Sequence, residues 1–171
     1  AWRYRNFRFF VMARLSLTMG ILMQSVIIGW IVYKHTNDPW KLGLVGLIEA
    51  VPTIGVALYA GYLADIIQRR KIIISALVIM VTASAIIAHL NENSNATYES
   101  YGLMPVYTYV AVVGLCRGFL SSAISAFGAQ LVPRKVYPNF ISWNSSAWHL
   151  GVIVGPAVGG FIYDYYGDGP T

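Results

Sequence analysis

The chain has 171 residues, 57% of them hydrophobic and only 11% charged, with a formal net charge of +5. A soluble domain carries about 25% charged residues, so the composition excludes an ordinary water-soluble domain and points to a membrane protein. The basic residues fall in short clusters between apolar runs rather than in one patch, which argues against nucleic acid as a partner. Cys116 is the only cysteine, so no internal disulfide can form and the redox compartment stays open.

Five apolar segments follow along the chain, at 7–33, 42–66, 71–90, 104–131 and 139–164. Each reaches the roughly 20 residues that cross about 30 Å of hydrocarbon. Strands of a membrane barrel would be shorter and alternating, so all five read as helices. The first is too long for a cleaved signal peptide and no small-residue cleavage site follows it. Asn37-Asp38-Pro39 ends it and opens the second. The polar stretch 91–100 with Gly102 and Pro105 parts the third from the fourth, and Pro133 and Pro138 bracket the last link. Trp2, Trp40, Tyr98, Tyr101, Tyr107, Tyr163, Tyr165 and Tyr166 sit near segment ends, as interfacial aromatic belts do. The sequence thus predicts an all-α polytopic membrane bundle, 1–171, with no soluble domain. The odd helix number, the first residue Ala and the ending Gly-Asp-Gly-Pro-Thr suggest a truncated piece of a longer chain.

The link charges alternate. Arg3, Arg5 and Arg8 precede the first helix, Arg69, Arg70 and Lys71 join the second to the third, and Arg134 and Lys135 join the fourth to the fifth. The opposite links carry only Lys34 and Lys41. The positive-inside rule then puts the N-terminus in the cytoplasm.

Several residues are out of place in such helices. Arg14, Thr18 and Ser25 fall near one face of the first helix, with Gln24 adjacent, as a cavity-lining stripe would; Arg14, about one and a half turns in, can equally snorkel to the interface. Glu49 is the only carboxylate well inside a helix, about seven residues or ~10 Å from its outer end. Such a carboxyl is costly unless it is neutral, paired or wet, which fits a proton carrier or a structural pair. Arg117 lies about twelve residues into the fourth helix, too deep to snorkel easily, and calls for a partner, with Glu49 a candidate, or a cavity. His149 in the fifth helix is a cavity candidate or a packing residue. His35 and His89 lie near the outer surface. Asn95-Ala-Thr is a glycosylation sequon in an outer loop, and Asn144-Ser-Ser lies within a helix.

Two glycine motifs stand out. In "GVIVGPAVGG", Gly151, Gly155 and Gly159 form one stripe with Pro156 and Gly160 beside it, the spacing of a close helix-packing face that Pro156 would bend. In "GYLADIIQRRK", Asp65 ends an apolar helix pattern, where a helix C-terminus disfavours a carboxylate. Arg69, four residues on, could neutralise it if the helix continues that far.

These motifs resemble those of the major facilitator superfamily. "GVIVGPAVGG" is similar to the fifth-helix motif of its exporters, G-x-x-x-G-P-x-x-G-G. Gly61, Leu63, Asp65, Arg69 and Arg70 match its loop signature between helices two and three, with Ile66 in place of the usual basic residue and Gln68 where many members have Gly. Arg117 resembles the intramembrane arginine of a third motif, with Ser121 in place of its Gly. "DPWKLGLVGLIEAVP" and "LVPRKVYPNFISWNSS" are similar to the enterobactin-exporter and macrolide-efflux branch. The resemblance implies a twelve-helix transporter of two six-helix halves, of which these are helices one to five, packing against a missing C-terminal half and working by alternating access. It also implies that Gly61, Asp65, Arg69 and Arg70 form a cytoplasmic latch, and that Gly151, Gly155, Pro156, Gly159 and Gly160 form the antiport motif.

No Walker A run, H-E-x-x-H or G-x-S-x-G appears, so no enzyme, metal or cofactor is expected. The expected activity is efflux of a small molecule, a drug or a siderophore, coupled to a proton or another ion. Glu49, Arg117, Arg14, Gln24 and His149 are the candidates for the substrate or proton pathway, and the location is a bacterial inner membrane. The alternatives are an uptake permease of the same fold, a membrane-embedded enzyme or a non-transporting scaffold.

Overall fold

The computed structural model describes residues 5–92, 102–130, 133 and 136–167. They form five helices: α1 (Arg5–Thr36), α2 (Pro39–Ile66), α3 (Arg69–Glu92), α4 (Met104–Gln130) and α5 (Tyr137–Gly167). No strand occurs among the described residues. All five helices contain a span long and apolar enough to cross a membrane. Their outward faces carry large apolar side chains, among them Ile54 (72% exposed), Val81 (67%) and Phe161 (72%). That is the surface of a helix whose solvent is lipid. The chain is an integral membrane protein.

Four of the helices are longer than the apolar runs alone suggest, α4 being the exception at 104–130, and local chemistry explains the ends around 37–39. Asn37 adopts a positive φ of 48° and its N–H bonds the Tyr33 carbonyl at 2.8 Å, which closes α1 in the left-handed manner asparagine tolerates. Asp38 is the N-cap of α2: its carboxylate accepts from the Trp40 N–H at 2.9 Å, and Pro39 takes the first helical position. So α2 starts three residues before the expected 42, and Glu49 lies ten residues into it, about 15 Å deep rather than 10. Likewise α1 starts at Arg5 rather than 7, which puts Arg14 nine residues, about two and a half turns, from its start. Hydroxyls inside the helices are hidden by bonding back one turn, as Thr18 does to Arg14 O (2.9 Å) and Thr108 to Met104 O (2.8 Å).

The chain divides into two compact units, residues 1–31 with 128–171, and residues 32–127. In the first, α1 and α5 run parallel. Phe7 and Phe10 pack on Phe140 with ring centroids 5.8 Å apart in each case, Tyr137 stacks on Phe140 at 5.7 Å, and Trp30 meets Tyr163 edge-on at 5.9 Å near the far end. Val11 and Ala147 complete the buried cluster beside the phenylalanines. In the second unit, α3 runs antiparallel to α4: Ile72 packs on Ala123 at one end, and Ser84 meets the Tyr109 hydroxyl at 3.3 Å nearer the other. α4 is the most enclosed helix, with 44% of its apolar span buried against 6% for α2.

Candidate functional site

The site in the second unit is an ion pair at a helix crossing. α2 and α4 touch backbone to backbone because α4 carries glycine where α2 approaches. A Cβ on Gly114 would stand 2.5 Å from the Glu49 carbonyl oxygen, and one on Gly118 would stand 2.9 Å from that of Thr53. Only glycine permits this approach. The matching steps, 49 to 53 against 114 to 118, show that α2 and α4 run parallel. Thr53 stitches the crossing, its hydroxyl lying 2.7 Å from Glu49 O on its own helix and 2.8 Å from Gly114 O on α4.

At this crossing the Arg117 guanidinium pairs with the Glu49 carboxylate; the side chains are 24% and 18% exposed. Two charges that would each be costly at membrane depth therefore share one site. Sequence reasoning singled out both residues and weighed their pairing, but missed the glycine crossing that joins them. The signal was present: "GLCRG" is a G-x-x-x-G step around Arg117.

The first unit holds the fifth-helix motif. A Cβ on Gly151 would lie 2.7 Å from Thr18 Cγ2, one on Gly155 3.1 Å from Met19 O, and one on Gly159 3.0 Å from Met23 Cα. These three glycines line the approach of α5 to α1. Gly160 has open space at its Cβ position, and α5 continues through Pro156 as a helix. Arg14 stacks over Trp148, its Cζ 5.2 Å from the ring centroid. Gln24 is half-buried on α1, and His149 is exposed.

The loop signature departs from expectation at one point. α2 ends at Ile66, and Ile67, extended at φ −96° and ψ 148°, bonds its N–H to Leu63 O. The helix does not continue to Arg69, so Asp65 and Arg69 are not neighbours on one helix face. The Asp65 side chain lies outside the described residues. Arg69, Arg70 and Lys71 instead form the first turn of α3, the end of a helix dipole that repels cations. Arg69 resolves this by donating to the Ala126 carbonyl of α4 at 2.9 Å, near a helix C-terminus where a cation is favoured. Gly61 has open space at its Cβ position and Arg70 is exposed. Arg134 and Lys135 lie outside the described residues, as does Asn95. Among the described residues no group of His, Cys, Asp and Glu could hold a metal ion.

Comparisons with known proteins agree with this architecture. Macrolide efflux protein A of Streptococcus pyogenes is 22% identical over 165 residues, covering 96% of this chain and 39% of that protein. A Na(+), Li(+), K(+)/H(+) antiporter of Planococcus maritimus is 23% identical over 146 residues, covering 80% of this chain and 33% of that protein. The chain thus spans between a third and two fifths of the curated relatives it matches. Both carry the names of transporters rather than enzymes. No solved structure matches significantly. Residues 1–170 match the family described as transmembrane secretion effector. With five membrane-length helices, and glycine stripes on α4 and α5 that bring helices into close contact, the chain belongs to that family of the major facilitator superfamily.

Proposed function

We propose that this chain is the first part of a secondary active exporter that expels a small molecule in exchange for protons, in a bacterial plasma membrane with its N-terminus cytoplasmic. The observation that carries the reading is the Glu49–Arg117 pair inside the apolar spans of two helices. A carboxylate at such depth holds its charge only while the guanidinium is beside it, and takes a proton when the two part. That alternation is what coupling requires. The names of the relatives support it, one being an efflux protein and the other a cation/proton antiporter. Their substrates differ, so they support a direction and a coupling ion rather than a shared substrate. The lipid bilayer is the surrounding partner, and the remaining helices would supply the other wall of an alternating-access cavity. In this reading Gly61, Asp65, Arg69 and Arg70 act as the cytoplasmic latch, and the α5 glycines with Pro156 act as the antiport motif.

The test uses the full-length protein in proteoliposomes containing a pH-sensitive dye, with a labelled macrolide and with Na+ as trial substrates. Substrate-dependent proton movement is expected, with accumulation against a gradient when the lumen is acidified. Glu49→Gln should abolish accumulation yet leave downhill exchange. A Glu49→Gln protein that still concentrates substrate in response to a pH gradient would show that the coupling site lies elsewhere.

A further inference from the structure

The α1–α5 interface is built from two facing rows, stepping by four residues on α1 and by four, with one step of three, on α5. Phe10, Arg14, Thr18 and Leu22 form the row on α1, and Phe140, Asn144 and Trp148, followed by Gly151 and Gly155, form that on α5. Level by level, Phe10 meets Phe140, Arg14 meets Trp148, Thr18 meets Gly151 and Leu22 meets Gly155. Every level is filled by apolar or backbone contact except one. Between the aromatic cluster and the Thr18–Gly151 contact, Arg14 Nε and Asn144 Oδ1 are both buried and both lack a hydrogen-bond partner among the described residues. They lie nine and seven residues into parallel helices, so they stand at a similar depth.

Orphaned buried polar atoms are rare and demand an explanation. Here the two are complementary in sense, a donor on a cation and a carbonyl acceptor, and they do not bond each other. Among the described residues of this unit no carboxylate pairs with Arg14. In residues 1–31 and 128–171 the carboxylates are Asp164 and Asp168, and Asp164 is sixteen residues past Trp148, about 24 Å along α5. The Arg14 Cζ stands 5.2 Å from the Trp148 ring centroid, a cation–π contact that does not use the Nε–H donor. Trp148 is itself 38% exposed, so the described residues do not close over this level.

We infer that Arg14, Trp148 and Asn144 form a binding site for an organic anion that carries a hydroxyl or N–H beside its acidic group. The anionic oxygen accepts from Arg14, the neighbouring O–H or N–H donates to the Asn144 carbonyl, and Trp148 covers the guanidinium. The inference rests on the export reading for its purpose, since it names a substrate class. Its test is equilibrium binding with no gradient, so it stands or falls separately from proton coupling.

The experiment measures binding of three probes to the purified full-length protein by equilibrium dialysis. Salicylate has the anion and the adjacent hydroxyl, benzoate lacks the hydroxyl, and 2-hydroxybenzyl alcohol lacks the charge. Salicylate should bind saturably and more tightly than either analogue. Asn144→Leu should weaken salicylate by about 3- to 10-fold, the worth of one hydrogen bond, and leave benzoate within about twofold. Arg14→Gln should weaken both anions by about tenfold or more, since its bond is charge-assisted. Asn144→Asp places a carboxylate at the same level and should close the site to anions while raising the melting temperature. That variant keeps the test alive if removing Arg14 impairs folding. Absence of saturable salicylate binding overturns the inference. So does an Asn144→Leu protein that loses salicylate and benzoate equally, or an Asn144→Asp protein that binds salicylate as the parent does.

Discussion

Gly114→Ala adds one methyl group at the α2–α4 crossing, and the structure fixes what that methyl meets. It would lie 2.5 Å from the Glu49 carbonyl oxygen and 3.2 Å from the Glu49 carbonyl carbon and Cα. Ordinary contact is about 3.5 Å, so the helices must part by roughly 1 Å, and the three nearest obstructing atoms are all backbone. No rotamer change can relieve the clash. Overpacking of this kind costs about 1–3 kcal/mol. Against it stands the gain of about 0.5–1 kcal/mol that alanine brings to a helix interior. Gly46, on α2, has nothing within 4 Å of its Cβ position, so Gly46→Ala isolates that gain. The assay is reversible unfolding of the full-length protein in mixed micelles. Gly114→Ala should be the least stable, Gly118→Ala next with its 2.9 Å contact, and Gly46→Ala as stable as the parent or more so. Equal stabilities of Gly114→Ala and Gly46→Ala would refute the backbone crossing, and with it the register that brings Arg117 to Glu49.

Gly155→Leu should insert normally but lose transport, since its branches would enter the space of Met19 and Leu22; transport at the parental rate would show that α5 is not a tight interface. Glu49→Gln/Arg117→Gln should unfold at higher denaturant than Arg117→Gln alone, because the single change strands a carboxylate and the double removes both charges; the reverse order would mean that the pair is not coupled. Asp38→Ala should cost about 1 kcal/mol through loss of the bond to the Trp40 N–H, with Asp38→Asn losing far less. In a Cys116→Ala background, cysteines placed within 91–103 should react with an impermeant thiol reagent on intact cells, and those beside Arg69 and Arg134 should not. The opposite labelling would invert the topology.

The helices were legible because lipid imposes one rule on every outward face, so long apolar runs announce themselves without tertiary information. Their ends were less so. The second apolar run begins at Leu42 while α2 begins at Pro39, a start set by the Asp38 cap, a single hydrogen bond that no average over a window registers. Glu49 and Arg117 were conspicuous as charges and as candidate partners of each other, but the crossing that joins them was not legible, because 68 residues separate them and only the parallel approach of α2 and α4 unites them. The Gly114–Gly118 step could have been read from spacing, but not which helix it faces. Arg69 shows the limit most plainly. Asp65 stands four residues before it, but the turn at Ile67 breaks the helix between them, and its guanidinium donates to a carbonyl 57 residues away on α4.

Thr53 gives the α2–α4 crossing a further property. Its hydroxyl has one hydrogen and two carbonyl oxygens within reach, Glu49 O at 2.7 Å on its own helix and Gly114 O at 2.8 Å on the other. If the helices separate, the hydrogen turns wholly to Glu49 O and no donor is stranded in an apolar medium. If they close, it is shared again. Breaking an ordinary interhelical hydrogen bond in the membrane leaves a donor without a partner, a penalty that locks helices together. Here that penalty on the donor is removed beforehand. The contact behaves as a clasp rather than a weld, and a side chain of the same shape without the hydroxyl, valine, would hold the two helices by packing alone.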